Sequence, residues 1–332
     1  MAALDTQKAS ASIEMIETKD LTKRFDDFTA VDQLTLKIPP GQVLALLGPN
    51  GAGKTTTVRM LSAILRPTAG CAWVNGRDVV EDADRVRRDI GLLTEQPGLY
   101  TRSTGIEYLQ FFGSLYGMNA EDSAARANQL LNRFGMEEHA GKRLGEYSKG
   151  MRQKIGLIRA MLHKPTVLLL DEPTSAMDPH SAKLVRDTIM ELRNDHRAIL
   201  VCTHNLAEAE MLADRIAIIS RGKIITEGDP ASLKRKLVGD RLFELTVNRE
   251  IDLALNGVKE LVQVDKIDGP KLHYRTNNPE EINPKLVRLL SDGGFGIISL
   301  EEQSASLEQV YLEVVEADIN RSPTTINPDI TA

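Results

Sequence analysis

The sequence predicts an α/β fold built on a mainly parallel sheet, followed by a small α+β unit. Short apolar runs alternate with helical segments of about 10–15 residues, the order a parallel sheet needs because the chain must cross back between neighbouring strands. A glycine-rich loop lies between a continuous apolar run and the start of a helical pattern. The composition changes near residue 240: residues 1–239 carry 32 Lys/Arg against 30 Asp/Glu, and residues 240–332 carry 9 against 17.

Residues 1–14 are small and polar and are expected to form a disordered tail. Ile16–Leu21 and Leu34–Ile38 read as short strands ahead of a Pro39-Pro40-Gly41 turn. Val43–Leu47 is a near-continuous apolar strand of the kind buried on both faces. Thr55–Leu65 has a helical pattern stopped by Pro67 and Gly70, and Gly70–Val74 returns as a strand leading to an Asn75-Gly76 turn. Residues 83–165 are mostly helical in pattern, with apolar groups at Leu109, Phe112 and Leu115 and again at Leu130, Leu131 and Phe134. They predict a helical insertion over about 95–160. Val167–Leu170, Ala198–Cys202 and Ile216–Ile219 are further apolar strands.

Beyond Gly239 the chain reads as strand (Leu242–Val247), an apolar run over Val258–Val264, strand (Lys271–Arg275), a helix near Glu281–Leu290 and a last strand, Ile297–Leu300. The expected domains are therefore 15–237 and 238–318, with 319–332 a second disordered tail.

A chain of 332 residues has room for two domains and a sizeable core. The 4% aromatic content and single Trp argue against a stacking platform for single-stranded nucleic acid, and the net charge of −6 gives no basic excess for a polyanion, so no nucleic-acid partner is expected. Cys71 and Cys202 stand far apart among apolar residues and read as reduced core thiols. No apolar run approaches the roughly 18 residues that a membrane span requires. The first residues lack a basic start followed by an apolar stretch, which makes the cytoplasm the expected compartment.

The chemistry concentrates in three places. Gly48-Pro49-Asn50-Gly51-Ala52-Gly53-Lys54-Thr55 matches G-x-x-x-x-G-K-[ST] between a buried-type strand and a helix start. Glycines let successive backbone N–H groups converge on phosphate oxygens, the helix N-terminus adds its positive end, and Lys54 reaches the same oxygens. Thr55 offers a hydroxyl to Mg²⁺, and Thr56 belongs to the same binding segment. Downstream, the apolar run Val167–Leu170 ends in Asp171-Glu172. In a parallel sheet the loops after the strands gather at one edge, which places Asp171 to hold Mg²⁺ opposite Thr55 and Glu172 to polarise a water in line with the γ-phosphate. His204 follows the next strand and emerges at the same edge, positioned to sense that phosphate.

Together with Glu146-Tyr147-Ser148-Lys149-Gly150-Met151-Arg152-Gln153, these motifs resemble the ATP-binding cassette ATPases over about Ile16 to Pro230. The resemblance implies a P-loop NTPase cassette with antiparallel N-terminal strands and a helical insertion, using ATP and Mg²⁺. It further implies that Ser148 and Gly150 face the γ-phosphate bound on a second cassette, in a head-to-tail homodimer. Phe25 is similar to the aromatic that stacks on adenine, with Phe28 the weaker candidate. Asp178, in Ser175-Ala176-Met177-Asp178, resembles the loop that couples the two sites. Lys149 stands where the family signature usually has glycine, and Met151 where it has glutamine. The family glutamine that contacts Mg²⁺ falls at Glu95 or Gln96.

A single cassette followed by a small domain ending in Ser306–Leu312 resembles the ATPase subunits of exporters of drugs, sodium, polysaccharides or lipids. Their permeases are separate multi-span polypeptides, which implies a peripheral protein on the cytoplasmic face of the cell membrane. The motifs leave open a cytosolic cassette ATPase acting in translation or DNA maintenance, and a regulatory nucleotide-binding module.

Overall fold

The computed structural model describes residues 14–175, 177–238, 241–251, 257–303 and 311. Residues 1–13 of the expected tail at 1–14, the expected tail at 319–332, and the Ser306–Leu312 motif apart from Tyr311 lie outside the described residues. Two compact units divide the chain, Met1–Asp229 and Pro230–Ala332.

The first unit runs β1 (Ile16–Phe25), β2 (Phe28–Ile38), β3 (Val43–Leu47), α1 (Lys54–Leu61), β4 (Ala69–Val74), β5 (Arg77–Asp78), α2 (Ala83–Asp89), β6 (Ile90–Leu93), α3 (Gly105–Leu115), α4 (Ala120–Arg133), α5 (Lys149–Met161), β7 (Val167–Asp171), α6 (Pro179–Asn194), β8 (Ala198–Thr203), α7 (Leu206–Leu212), β9 (Arg215–Ser220) and β10 (Lys223–Gly228). Its central sheet has the order β10-β9-β3-β8-β7-β6, parallel except for the β9–β10 hairpin.

The side chains of this sheet alternate between two apolar cores, as the two-residue period of a strand requires. Leu44, Leu46, Leu169 and Leu200 point into one core, shared with α1 and with the antiparallel sheet β2-β1-β4-β5. Val43, Leu168, Leu170, Ile199 and Val201 point into the other, against α3, α4, α5 and α6. Both faces are therefore covered, which explains why β3, β7 and β8 read as unbroken apolar runs. In the antiparallel sheet, Trp73 pairs with Glu17 of β1 and Asp78 of β5.

Several details differ from the sequence reading. A strand, β6, lies inside the stretch read as helical. It is only Ile-Gly-Leu-Leu, too short for its period to register, and it sits directly beneath α5. A Cβ on Gly91 would lie 2.1 Å from the Ala160 carbonyl oxygen. Cys202 is a buried thiol, but Cys71 is exposed, because β4 turns that residue out of the core.

The second unit comprises α8 (Pro230–Val238), β11 (Arg241–Val247), α9 (Val258–Leu261), β12 (Gln263–Asp268), β13 (Lys271–Thr276), α10 (Pro279–Asp292) and β14 (Ile297–Gln303). Its antiparallel sheet, ordered β12-β13-β11-β14, packs Phe243, Leu245, Leu272 and Tyr274 against Leu286 and Leu290 of α10. The apolar run at 258–264 divides into α9 and the start of β12. Among the described residues no helix is long and apolar enough to cross a membrane.

Candidate nucleotide site

Strands β3, β7 and β8 all run the same way, so the residues after them meet at one edge of the sheet. There the loop 48–53 turns sharply into α1. Its first residue is pressed against β9: a Cβ on Gly48 would lie 2.3 Å from the Ile219 carbonyl oxygen. Gly53, at φ 106°, caps α1 in a left-handed conformation, and a Cβ there would lie 2.5 Å from the Ala30 carbonyl oxygen. No side chain caps α1, leaving its first N–H groups directed at the cleft, the arrangement that recognises phosphate. Ala52 N donates to Pro49 O (3.2 Å), and Ala52 O accepts from Gly222 N (2.9 Å), fixing the loop to the β9–β10 turn. The buried Lys54 crosses under the loop, its Nζ donating to Gly48 O (2.7 Å) and Pro49 O (3.0 Å).

Thr55 Oγ1 donates to Asp171 Oδ2 at 2.7 Å, joining the start of α1 to the end of β7. Burial raises the Asp171 carboxyl above its ordinary range, the bond from Thr55 acting in the opposite sense and the neighbouring Glu172 and Glu95 charges adding to the rise. Glu172 has a left-handed backbone at φ 52°, held by its N–H on Cys202 O (2.9 Å) and by Gln153 Nε2 on its carbonyl (3.0 Å). Its Oε1 accepts from His204 N (3.1 Å) and contacts His204 Nδ1 (2.7 Å). With Glu172 ionised, Nδ1 is the protonated ring nitrogen.

Lys54, Thr55, Asp171, Glu172 and His204 thus line one cleft of about 450 Å³, with Asn50, Gly51 and Gly53 from the loop and Thr56 from α1. Gly48, Pro49 and Ala52 do not line it; the first two hold Lys54 through their carbonyls, and Ala52 ties the loop to the β9–β10 turn. Of the two residues weighed for the glutamine position, Glu95 lines the cleft, whereas the Gln96 carbonyl accepts from Thr94 Oγ1 (3.0 Å). Of the two aromatics, Phe28 lines the cleft. Phe25 pairs with it across the hairpin and carries the Lys23 ammonium 5.0 Å from its ring centre.

Ser148, Gly150 and Asp178 do not line this cleft. Ser148 caps α5, its Oγ accepting from Met151 N (3.2 Å), and Gly150 lies in the first turn. Asp178 caps α6, and hydrogen bonds from Ser181 lower its pKa to about 2. Lys149 and Ser175 line the cleft without having been assigned a place in it by the sequence. Lys149 was visible only as a departure from the signature, and nothing local marks Ser175 beyond its position three residues after Glu172.

Comparisons with known proteins give the family. The family model described as "ABC transporter" matches residues 31–175. The chain is 40% identical over 224 residues to the ABC transporter ATP-binding protein NatA of Bacillus subtilis, covering 66% of this chain and 91% of that protein. It is 37% identical over 300 residues to the daunorubicin resistance ATP-binding protein DrrA3 of Streptomyces coeruleorubidus, covering 89% and 94%. Among solved structures, an ATP-binding subunit of an ABC transporter superposes with a TM-score of 0.63 at 29% identity, over 67% of this chain and 92% of that one. A bacterial ABC transporter cassette solved as a dimer gives 0.62 at 25% identity, over 65% and 98%. The chain belongs to the ATP-binding subunits of the ATP-binding cassette transporters.

Proposed function

We propose that this chain is an ATP-hydrolysing subunit that works as a homodimer on the cytoplasmic face of a membrane and powers a separate permease, in the export direction. The observation that carries the reading is the single cleft holding Lys54, Thr55, Asp171, Glu172 and His204. The names of the relatives point to export: daunorubicin resistance for one, Nod factor export for another.

In this reading the N–H groups of residues 50–55 and the Lys54 ammonium bind the β- and γ-phosphates, and Phe25 or Phe28 receives the adenine. The donor set at Thr55 Oγ1 and Asp171 Oδ2 is all oxygen, which fits a hard cation completing its shell with phosphate and water. Mg²⁺, when bound there with Glu95 or Gln96 beside it, supplies positive charge to the phosphate oxygens. Glu172 acts as general base, its Oε2 taking a proton from the attacking water while its Oε1 stays on His204. Ser148 and Gly150 contact the nucleotide on the second protomer, and Asp178 lies at the crossing between the two sites. ATP binds the closed pair better than the open one, and this difference in affinity drives closure onto the permease.

The test is E172Q in the full chain. The variant is expected to keep ATP, to dimerise with it on size-exclusion chromatography, and to lose turnover by about 10²-fold or more. Unchanged hydrolysis removes Glu172 from the base role. A stoichiometric multi-span protein recovered with the native chain from gently solubilised membranes supports the permease, and recovery only with ribosomes or nucleic acid overturns it.

A further inference from the structure

Glu208 is a buried carboxylate in α7, 2% exposed, which the mechanism above does not use. It stands three residues after Asn205, whose side chain caps α7 by accepting from Glu208 N (3.1 Å). A glutamate at this position ordinarily reaches back to the backbone N–H of the capping residue. Here the Asn205 N–H donates instead to Thr203 Oγ1 (3.0 Å), which frees the carboxylate to extend further. Its Oε2 accepts from Thr203 Oγ1 at 2.7 Å, and its Oε1 from Thr174 Oγ1 at 2.6 Å.

These two threonines flank the reacting groups. Thr174 follows Glu172 by two residues in the turn after β7, and Thr203, the last residue of β8, immediately precedes His204. Both strand ends are also tied directly by the contact of Glu172 with His204. Burial, together with the nearby Glu172 charge, raises the Glu208 carboxyl, so the fold retains an acceptor here against an electrostatic penalty. Helix capping alone does not require that, since Asn205 already supplies the cap.

We infer that Glu208 is a positioning residue for ATP hydrolysis: by clamping Thr174 and Thr203 with one carboxylate, it sets the separation between Glu172 and His204. The inference rests on the assignment of Glu172 and His204 above. It predicts an effect on turnover that exceeds any on nucleotide capture: the loop 48–53 meets the clamp through backbone, Gly48 N donating to Thr203 O (3.3 Å), and Lys54 is held by Gly48 O and Pro49 O rather than by the Glu208 carboxylate. Misplacing a catalytic group by about 1 Å can lower a rate by about 10²-fold.

The experiment compares E208A, E208Q and T174V in the full chain, by steady-state ATPase kinetics, equilibrium ATP binding and thermal melting. E208A is expected to lower kcat by about 10²-fold while KM and ATP affinity change by less than about twofold. E208Q is expected to recover most of that loss, because its amide oxygen accepts from Thr174 and its NH₂ donates to Thr203 Oγ1. T174V removes only the arm that reaches the Glu172 loop and leaves the α7 cap in place. It is expected to lower kcat by about tenfold, and the double variant T174V/E208A to be no slower than E208A. If E208A does not fold, T174V and E208Q carry the test alone. Unchanged kcat in T174V, or kcat and affinity falling together with the melting temperature in every variant, overturns the inference. Turnover lost in E172Q but kept in T174V and E208A sinks the clamp and spares the base assignment, whereas turnover kept in E172Q sinks the base assignment itself.

Discussion

Lys54 shows how a buried charge is made useful. Two loop carbonyls hold its ammonium under the glycines, an orientation that serves the phosphate contact proposed above. Hydrogen bonds to charged groups contribute about 2 kcal/mol, so Lys54→Ala is expected to weaken ATP binding by roughly 30-fold, read by titration calorimetry. A second residue-scale prediction concerns His163, stacked on Tyr116 with ring centres 3.7 Å apart. Its Nε2 lies 3.0 Å from Ile90 O, and burial lowers its pKa to about 4 from 6.5. Between those values the unfolded chain takes up a proton that the folded chain refuses, so stability present above pH 6.5 is lost as pH falls towards 4. From pH 7 to 4.5 the wild type is expected to lose about 2 kcal/mol more than His163→Gln in urea titrations. At this scale the sequence made the loop, Asp171, Glu172 and His204 legible, because each stands at a fixed offset from an apolar strand. It favoured Phe25 over Phe28, although Phe28 is the one that lines the cleft, and it did not decide between Glu95 and Gln96. Neighbours in sequence can point to opposite sides, and only the hairpin and the β6 edge determine which one enters the cleft.

Among the elements, those with many residues per period were legible and those with few were not. α4 announces itself by the spacing of Leu130, Leu131 and Phe134. β6, with four residues, and β5, with two, owe their existence to neighbours already in place. The same dependence explains β10, which among the described residues pairs with β9 alone and has no fully buried residue to give it an apolar signature. Helix α3 is held by a reciprocal cap: Glu107 N donates to Thr104 Oγ1, and Thr104 N donates to Glu107 Oε2. The bonds from Thr104 hold the Glu107 carboxyl below its ordinary pKa. Thr104→Ala is expected to cost about 1 kcal/mol, seen as a melting temperature about 2–4 °C lower, with ATP turnover at 25 °C unaltered.

Across the whole molecule, the change in composition near residue 240 and the division into two compact units have a common physical basis. The first unit buries a parallel sheet on both faces, whereas the second has one antiparallel sheet with a single buried face. Apolar runs mark the former, and alternation with charged residues marks the latter, as in Arg241–Val247. What the chain alone did not disclose was the pairing order β10-β9-β3-β8-β7-β6, because parallel neighbours are joined through long crossovers.

Trp73 adds a consequence of a different kind. It is the only tryptophan of the chain, and it lies within β4 of the first unit. Its fluorescence is therefore an intrinsic optical label for the ATP-binding unit and is silent about the second, where Tyr274 is the buried chromophore. A thermal scan excited at tryptophan wavelengths is expected to show one transition, even if circular dichroism of the same sample resolves two. ATP is expected to move the tryptophan transition to higher temperature, because a ligand that binds only the folded unit stabilises that unit.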